Sequence, residues 1–312
     1  MSYRIVARIL ESLLVLAVAG CISADARSSD TLSSTVADSA AGAVDPVAQR
    51  QYGAAFKIGN GSARTYVTYD ISNTPIEVGV ALDESALEGL PAPMKMSMPA
   101  NNDGHEHLDS HVFNLTLPVE NPTPYKFVEL DWNPGGHEPP GVYDTPHFDF
   151  HFYRVEQTVR DGIDPAQMSK EQYIEKSGKL PPKDEWAPQY AALSAPGTPV
   201  MAVPRMGTHW VDIFTPELQA MFGHPEAFRR FTTTFLHGSW DGQFIFDEPM
   251  VTREFIMSRK AGPTSVARDS VIQLASPKTY DKPGYYPAAY RVMYDAATRE
   301  YRIALTQLAR KS

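Results

Sequence analysis

The chain of 312 residues contains one cysteine, Cys21, and this scarcity limits its chemistry. A lone cysteine cannot form an intramolecular disulfide or supply the several thiolates of a structural zinc site. The sequence also lacks a GxSxG elbow, a P-loop, an HExxH motif and a dinucleotide-binding glycine motif. These absences argue against disulfide-stapled folds and against the common serine-hydrolase, nucleotide-binding and zincin classes.

Positive charge is in the minority, with 28 Lys and Arg residues against 37 Asp and Glu residues and a net charge of -9. Because nucleic-acid binding depends on basic surfaces that neutralise phosphates, we expect no nucleic-acid partner. Hydrophobic residues make up 43% of the chain, which is enough to form a sizeable core. The 26 prolines favour strands joined by irregular loops over a helical bundle.

Long apolar runs are also missing near the N-terminus. The apolar stretch 13–19 is far shorter than the roughly 20 residues that a membrane-spanning helix needs. It follows Arg4 and Arg8 and ends at Cys21 in the sequence VAGC, which resembles a bacterial lipobox. This resemblance implies that residues 1–20 are a signal peptide and that Cys21 is lipidated. We therefore expect an exported lipoprotein, anchored in a lipid bilayer and facing the periplasm or the cell surface.

The remaining chain divides into three parts by composition and periodicity. Residues 21–52 are rich in Ser, Ala and Asp and lack apolar periodicity, which predicts a flexible tether. Residues 53–257 are predicted to form a β-rich core domain, and residues 258–312 a C-terminal extension with a β-hairpin.

Alternating segments joined by turn signals predict a mainly β fold, a barrel-like or sandwich-like antiparallel domain. Hairpins are expected around Ser72-Asn73, around Asp241-Gly242 and within 291–305. A short helical insertion is predicted, with one helix from Asp164 to Ser177 and a second at 183–193. Residues 251–257 are predicted to be a strand.

The segment 147–152 alternates strictly between polar and aromatic side chains. In a strand, one face then carries the polar set and the opposite face the aromatic set: His147, Asp149 and His151 against Phe148, Phe150 and Phe152. A strand with one aromatic face is expected to be rigidly packed, and its polar face is a candidate site.

Histidine and carboxylate side chains are the natural metal ligands of a domain without cysteine. His137 and Glu138 lie in a Gly/Pro loop just before the polar strand, and His209 and Glu248 lie on later strand candidates. We predict that His137, His147, His151 and His209 converge on a divalent metal, zinc or iron. The neighbouring or alternative ligands are Glu138, Asp149 and Glu248. A metal-free polar pocket and a purely structural hydrogen-bond network are the alternatives.

Four motifs occur in order along the chain: GHEP at 136–139, PHFDFHFY at 146–153, MGTHW at 206–210 and FDEPMVT at 246–252. Together they resemble the family catalogued as domain of unknown function 5602, over residues 55 to 257. The family's structural prototype is a ring-forming bacterial protein associated with extracytoplasmic stress. The resemblance implies a compact β-rich fold and ring assembly as a homo-oligomer, and it implies no settled activity.

The leading functional hypothesis is an exported, lipid-anchored β-domain with a His/carboxylate pocket that binds a divalent metal. One alternative is a metal-dependent hydrolase, with Glu138 or Glu248 as general base, or a cupin-like oxygenase. The other is a structural, ring-forming envelope stress protein. The sequence alone leaves open whether the chain is catalytic.

Overall fold

A computed structural model describes residues 37–40, 47–93, 110–137, 139, 141–193, 202–221, 223–262 and 268–312. The expected signal peptide, Cys21, most of the expected tether and Glu138 lie outside the described residues. Among the residues described, no helix is both long and apolar enough to cross a membrane.

The described chain is built mainly from strands. In chain order these are β1 (Ala37–Ala40), β2 (Val47–Tyr52), β3 (Phe56–Ile58), β4 (Gly61–Asp70), β5 (Pro75–Asp83), β6 (His111–Thr116), β7 (Phe127–Asn133), β8 (His147–Tyr153), β9 (Tyr190–Ala192), β10 (Ala202–Val203), β11 (Gly207–Asp212), β12 (Thr233–Trp240), β13 (Gln243–Thr252), β14 (Arg268–Gln273), β15 (Gly284–Tyr286), β16 (Ala289–Asp295), β17 (Glu300–Thr306) and β18 (Ala309–Lys311). The α-helices are short: α1 (Gln157–Asp161), α2 (Lys170–Gly178), α3 (Pro216–Met221) and α4 (Arg253–Met257). Single 3-10 turns lie at Glu84–Leu87, Lys183–Glu185 and Pro225–Ala227.

The strands form two large antiparallel sheets. The first has the order β1-β14-β16-β17-β5-β4-β2, with β3 paired to β4. The second has the order β10-β11-β12-β13-β8-β7-β6, with β9 paired to β11, and β15 and β18 form a separate pair. These described strands form open sheets, so the mainly β, sandwich-like prediction is confirmed and the barrel-like alternative is not adopted.

The inner faces of the two sheets share one hydrophobic core. Phe148, Phe150 and Phe152 of β8 lie in it, completely buried, as the alternation predicted. Residues from the first sheet complete it, among them Val80 and Ile303. Because side chains alternate along a strand, every second residue of β8 is directed to the outer face of the second sheet.

The three predicted hairpins are confirmed. β4 pairs with β5, β12 with β13 and β16 with β17, all antiparallel. Asn73 has φ 60°, and Asp241 and Gly242 have φ 49° and 82°. Positive φ at both central residues is typical of the two-residue turn whose twist matches the flanking strands.

Three predicted elements differ from the structure in their bounds or their type. The helix expected at 164–177 begins at Lys170, because Ser169 and Gln172 form a capping box, whereas Asp164 accepts a hydrogen bond from the Ala166 amide in a turn. The helix expected at 183–193 is a 3-10 turn followed by β9.

The strand expected at 251–257 ends with β13 at Thr252. The Thr252 side chain accepts a hydrogen bond from the Phe255 amide and so starts α4. The segment expected as a C-terminal extension supplies β14, β16 and β17 to the first sheet, where β17 pairs with β5 along its length.

Candidate metal centre

The outer face of the second sheet carries a band of buried ionisable side chains, here called the polar strip. It consists of His137 from the loop after β7, Glu129 and Asp131 from β7, His147, Asp149 and His151 from β8, His209 from β11, and Glu248 from β13. Apart from His137, each of these residues is at most 8% exposed. Buried ionisable groups are costly unless they are paired or bind a cation, so the strip needs a physical explanation.

Aromatic side chains pack against the strip at both ends. The ring of Phe231 contacts that of His147 with centroids 5.4 Å apart, and Phe246 contacts His151 at 4.9 Å. The loop carrying His137 folds back on β8, because the His137 amide donates to the Tyr143 carbonyl. Gly136 allows this close approach: its φ is 74°, and a Cβ there would lie 2.3 Å from the Tyr143 carbonyl oxygen.

His137, His147 and Asp149 form the first triad, with one ligand atom of each within 4.8 Å of the others. His147 Nδ1 lies 2.6 Å from the Thr145 carbonyl oxygen, and its Nε2 lies 3.1 Å from Asp149 Oδ1. His137 Nε2 lies 3.4 Å from Asp149 Oδ2, which also accepts a hydrogen bond from the Asn133 side chain at 2.7 Å. Both oxygens of Asp149 are thus held toward the two imidazoles.

His151, His209 and Glu248 form the second triad, also within 4.8 Å of one another. His151 Nε2 lies 3.4 Å from Glu248 Oε1, and His209 Nε2 lies 3.9 Å from Glu248 Oε2. His209 belongs to β11 and Glu248 to β13, so β12 runs between them.

Gly238 is the β12 residue that allows this contact across a strand. It is the register partner of both His209 and Phe246. A Cβ on Gly238 would lie 2.0 Å from the Phe246 ring. The missing side chain therefore leaves room for the rings of Phe246 and His209, whose centroids lie 5.6 Å apart.

Glu129, Asp131 and His151 form a third group on the β7 side of the strip. Here Arg160 of α1, which is 1% exposed, forms an ion pair with Glu129. Asp131 Oδ2 lies 3.8 Å from His151 Nδ1. Both oxygens of Asp131 are buried without a hydrogen bond from the described residues.

The pKa values on the strip move in opposite directions. Burial raises the pKa of Glu248 and of Asp131 well above the usual value, and the neighbouring carboxylates add to this rise. Burial also raises the pKa of Asp149, but His147 and His137 outweigh it and hold that pKa well below the usual range. Burial lowers the pKa of His151 to about 3 and that of His209 to about 4. At neutral pH these two imidazoles are neutral, which is the form that binds metals.

The structure places all four predicted histidines on one face, but it divides them into two triads with two histidines each. Asp149 belongs to the first triad and Glu248 to the second. Sequence reasoning missed Glu129, Asp131 and Arg160. The two carboxylates had a usable signal, because 128–133 alternates in the same way as 147–152.

The fold is therefore an antiparallel two-sheet sandwich, and its candidate site is a buried His/carboxylate strip. A family model described as TTHB210-like, hypothetical protein TTHB210, matches residues 70–132, and the chain is similar to that family over this segment. The segment includes Glu129 and Asp131 but ends before both triads. No curated protein and no solved structure matches the chain.

Proposed function

We propose that the protein binds a divalent transition-metal ion in the polar strip, with the first triad as ligands. The observation that carries this proposal is the environment of His147. Its Nδ1 must donate, because the Thr145 carbonyl can only accept. When Nδ1 carries the only ring proton, the Nε2 lone pair points at a carboxylate oxygen of Asp149 3.1 Å away. A cation between the two atoms turns this repulsion into attraction.

This arrangement is typical of metal-binding histidines, which donate their second ring N–H to a backbone carbonyl or a carboxylate. That hydrogen bond fixes the tautomer and orients the metal-binding nitrogen. The distances also fit an ion. Two ligand atoms about 2.1 Å from a tetrahedral metal lie roughly 3.4 Å apart, and the two imidazole–carboxylate distances in the first triad are 3.1 and 3.4 Å.

Shared protons alone explain the close approach of histidines and carboxylates in the polar strip less well than a metal ion does. A proton shared between His147 and Asp149 would suit their 3.1 Å separation. It would not suit the second triad, where separations of 3.4 and 3.9 Å exceed the range of a good hydrogen bond.

Charge balance also supports a cation. Four carboxylates lie on the strip, those of Glu129, Asp131, Asp149 and Glu248. Within the described part of the chain, a single buried guanidinium, that of Arg160, pairs with one of them. A divalent ion offsets buried negative charge that Arg160 leaves uncompensated.

The ligand types favour zinc or iron. Imidazole and carboxylate donors without thiolate suit Zn²⁺, and a set of two histidines and one carboxylate is also typical of non-haem Fe²⁺. Elemental analysis of the purified protein distinguishes the two metals.

The test is elemental analysis of the purified protein together with a matched variant. Wild-type protein reconstituted with Zn²⁺ or Fe²⁺ and dialysed should retain stoichiometric metal. The His147→Ala/His151→Ala variant should retain none while keeping a β-rich circular dichroism spectrum, because the aromatic inner face of β8 is untouched. A wild-type protein that retains no metal after reconstitution would refute the proposal.

A metal-dependent hydrolase or oxygenase is the second candidate, favoured by the ligand count. Each triad supplies three protein ligands, the number that catalytic zinc and non-haem iron sites use, with further positions for water or substrate. Glu248 belongs to a triad, so we assign it a ligand role rather than that of a base. Metal-dependent turnover of model esters and phosphoesters, or metal-dependent dioxygen uptake, in wild type but not in the double variant would establish catalysis.

We also propose that Cys21 anchors the protein in a bacterial membrane. The support is the VAGC sequence after a short apolar run preceded by Arg4 and Arg8. Cys21→Ser should move the protein from the membrane fraction to the soluble fraction, and a variant still membrane-bound after a high-salt wash would contradict the anchor. Ring assembly, implied by the family resemblance, is tested by the native mass of the detergent-solubilised protein.

A further inference from the structure

We infer that the polar strip holds two metal ions, the second bound by His151, His209 and Glu248 independently of the first. This inference rests on the proposed metal-binding function and adds a second site to it. The two triads share no residue, and each contains two histidines and one carboxylate.

The second triad has its own unpartnered groups. His151 is 1% exposed, and neither of its ring nitrogens has a hydrogen bond from the described residues. Glu248 Oε2 is in the same condition. His151 Nε2 lies 3.4 Å from Glu248 Oε1, and Glu248 Oε2 lies 3.9 Å from His209 Nε2. Because buried polar atoms normally have a partner, these unpartnered atoms indicate a ligand that bridges the three side chains.

The two sites are adjacent, but a single ion cannot be bound by the ligands of both. Asp149 and His151 are two residues apart on one strand, which places their Cα atoms roughly 6.6 Å apart on the same face. His137 extends the first triad from the loop after β7, whereas His209 extends the second from β11, three strands away from β8. The ligand sets therefore diverge from β8 in two directions.

We do not assign a metal ion to the third group, formed by Glu129, Asp131 and His151. Arg160 already neutralises Glu129, and a guanidinium beside a carboxylate disfavours a second cation there. Asp131 instead lies near His151 Nδ1, on the side of the ring away from Glu248. We assign Asp131 the role of a positioning residue, which favours the tautomer with the proton on Nδ1 and Nε2 available for the ion.

The test is titration of the metal-free full-length protein with Co²⁺, followed by its visible absorption and by elemental analysis. Wild type should bind two ions per chain. The His147→Ala variant and the His209→Ala variant should each bind one ion. A variant that combines these two substitutions should bind none. Each single variant reports its own folding, because it keeps the other site.

Asp131→Asn separates positioning from a general structural role. Asp131→Asn should weaken Co²⁺ binding at the second triad by about 10- to 100-fold. Co²⁺ binding at the first triad should not change. Equal weakening of both ions would contradict the positioning role.

The outcomes distinguish this inference from the proposed function. One ion per wild-type chain, removed completely by either single variant, would overturn the two-ion arrangement and leave metal binding in place. No bound ion in the wild type would overturn both.

Discussion

Each of the two sheets carries a buried polar cluster on the face away from the shared core, and the two clusters differ in how their charges are balanced. On the first sheet, Arg291 pairs with both Asp269 and Glu77. Arg302 pairs with Glu300 and Asp295. On the second sheet, four carboxylates of the polar strip face four histidines and, among the described residues, one buried guanidinium, that of Arg160.

Hydrogen bonding differs in the same way. On the first sheet, Tyr66 donates to Glu77 at 2.7 Å, and Arg291 donates from two nitrogens to Asp269. On the second sheet, buried atoms of Asp131, His151 and Glu248 have no hydrogen bond from the described residues. The carboxylates of the first sheet are paired with arginines, although Arg302 Nε has no hydrogen-bond partner among the described residues. The polar strip instead has the composition of a site completed by a cation.

Removing the metal should have the largest effect. Free metal at about a thousandfold above its dissociation constant stabilises a folded protein by about 4 kcal/mol. Chelator should therefore lower the free energy of unfolding of metal-loaded wild type by about this amount for each ion bound, measured by urea denaturation. The His147→Ala/His151→Ala variant is the control and should not respond. An equal chelator response in both proteins would place the relevant metal elsewhere.

Opening the network on the first sheet should have the next largest effect. Arg291→Met leaves Glu77 and Asp269 without their common partner. Loss of one member of a fully buried pair costs about 3 to 5 kcal/mol, and we expect about 2 to 3 kcal/mol here, because the Arg291 side chain is 26% exposed. Metal content should not change. Loss of bound metal in this variant would show that the two outer faces are not independent.

Acid should destabilise the metal-free protein through His209. Its pKa is about 4 in the fold, against roughly 6.5 in the unfolded chain. Below pH 6.5 His209 is protonated in the unfolded chain but stays neutral in the folded protein. The free energy of unfolding therefore decreases as the pH falls toward 4. Between pH 6.5 and 4.5 this amounts to about 2 kcal/mol, at 1.36 kcal/mol per unit.

The His209→Asn variant isolates this contribution, since Glu248, whose raised pKa acts in the opposite direction, is present in both proteins. Urea denaturation of metal-free samples at the two pH values should show a smaller acid loss in the variant. Identical losses would mean that His209 is not held neutral by burial.

Two matched glycines should give the smallest effects. Gly238→Ala drives a Cβ into the Phe246 ring, and Gly79→Ala on the first sheet drives one against Ala304. Each substitution should cost about 1 to 2 kcal/mol by overpacking. Only Gly238→Ala should weaken metal binding at His151 and His209, as measured by Co²⁺ titration. Equal weakening by Gly79→Ala would mean that general destabilisation explains the effect.

The local parts of this structure could be predicted from the sequence. Strict alternation in β8 gave its aromatic inner face and polar outer face, and turn residues such as Asp241 and Gly242 gave the hairpins. Each of these features depends on a few consecutive residues. The start of α2 was missed, although the Ser169 and Gln172 capping pair was visible, because Asp164 and Pro165 offered a competing signal.

The division of the histidines could not be predicted. His209 reaches Glu248 because β11, β12 and β13 pair in a register that places Gly238 between His209 and Phe246. Register between strands distant in the chain depends on the packing of the whole sheet rather than on any local motif. The same holds for Arg160, which reaches Glu129 from α1 without any periodic pattern.

The central claim, that the polar strip binds metal, is tested most directly by crystals of metal-loaded protein measured at the absorption edge of the bound element. The account predicts an anomalous difference peak about 2.1 Å from His147 Nε2, at the distance of a coordinating imidazole, and a second peak at the same distance from His151 Nε2. A strip without anomalous density in fully loaded protein, or density confined to other histidines, would contradict it.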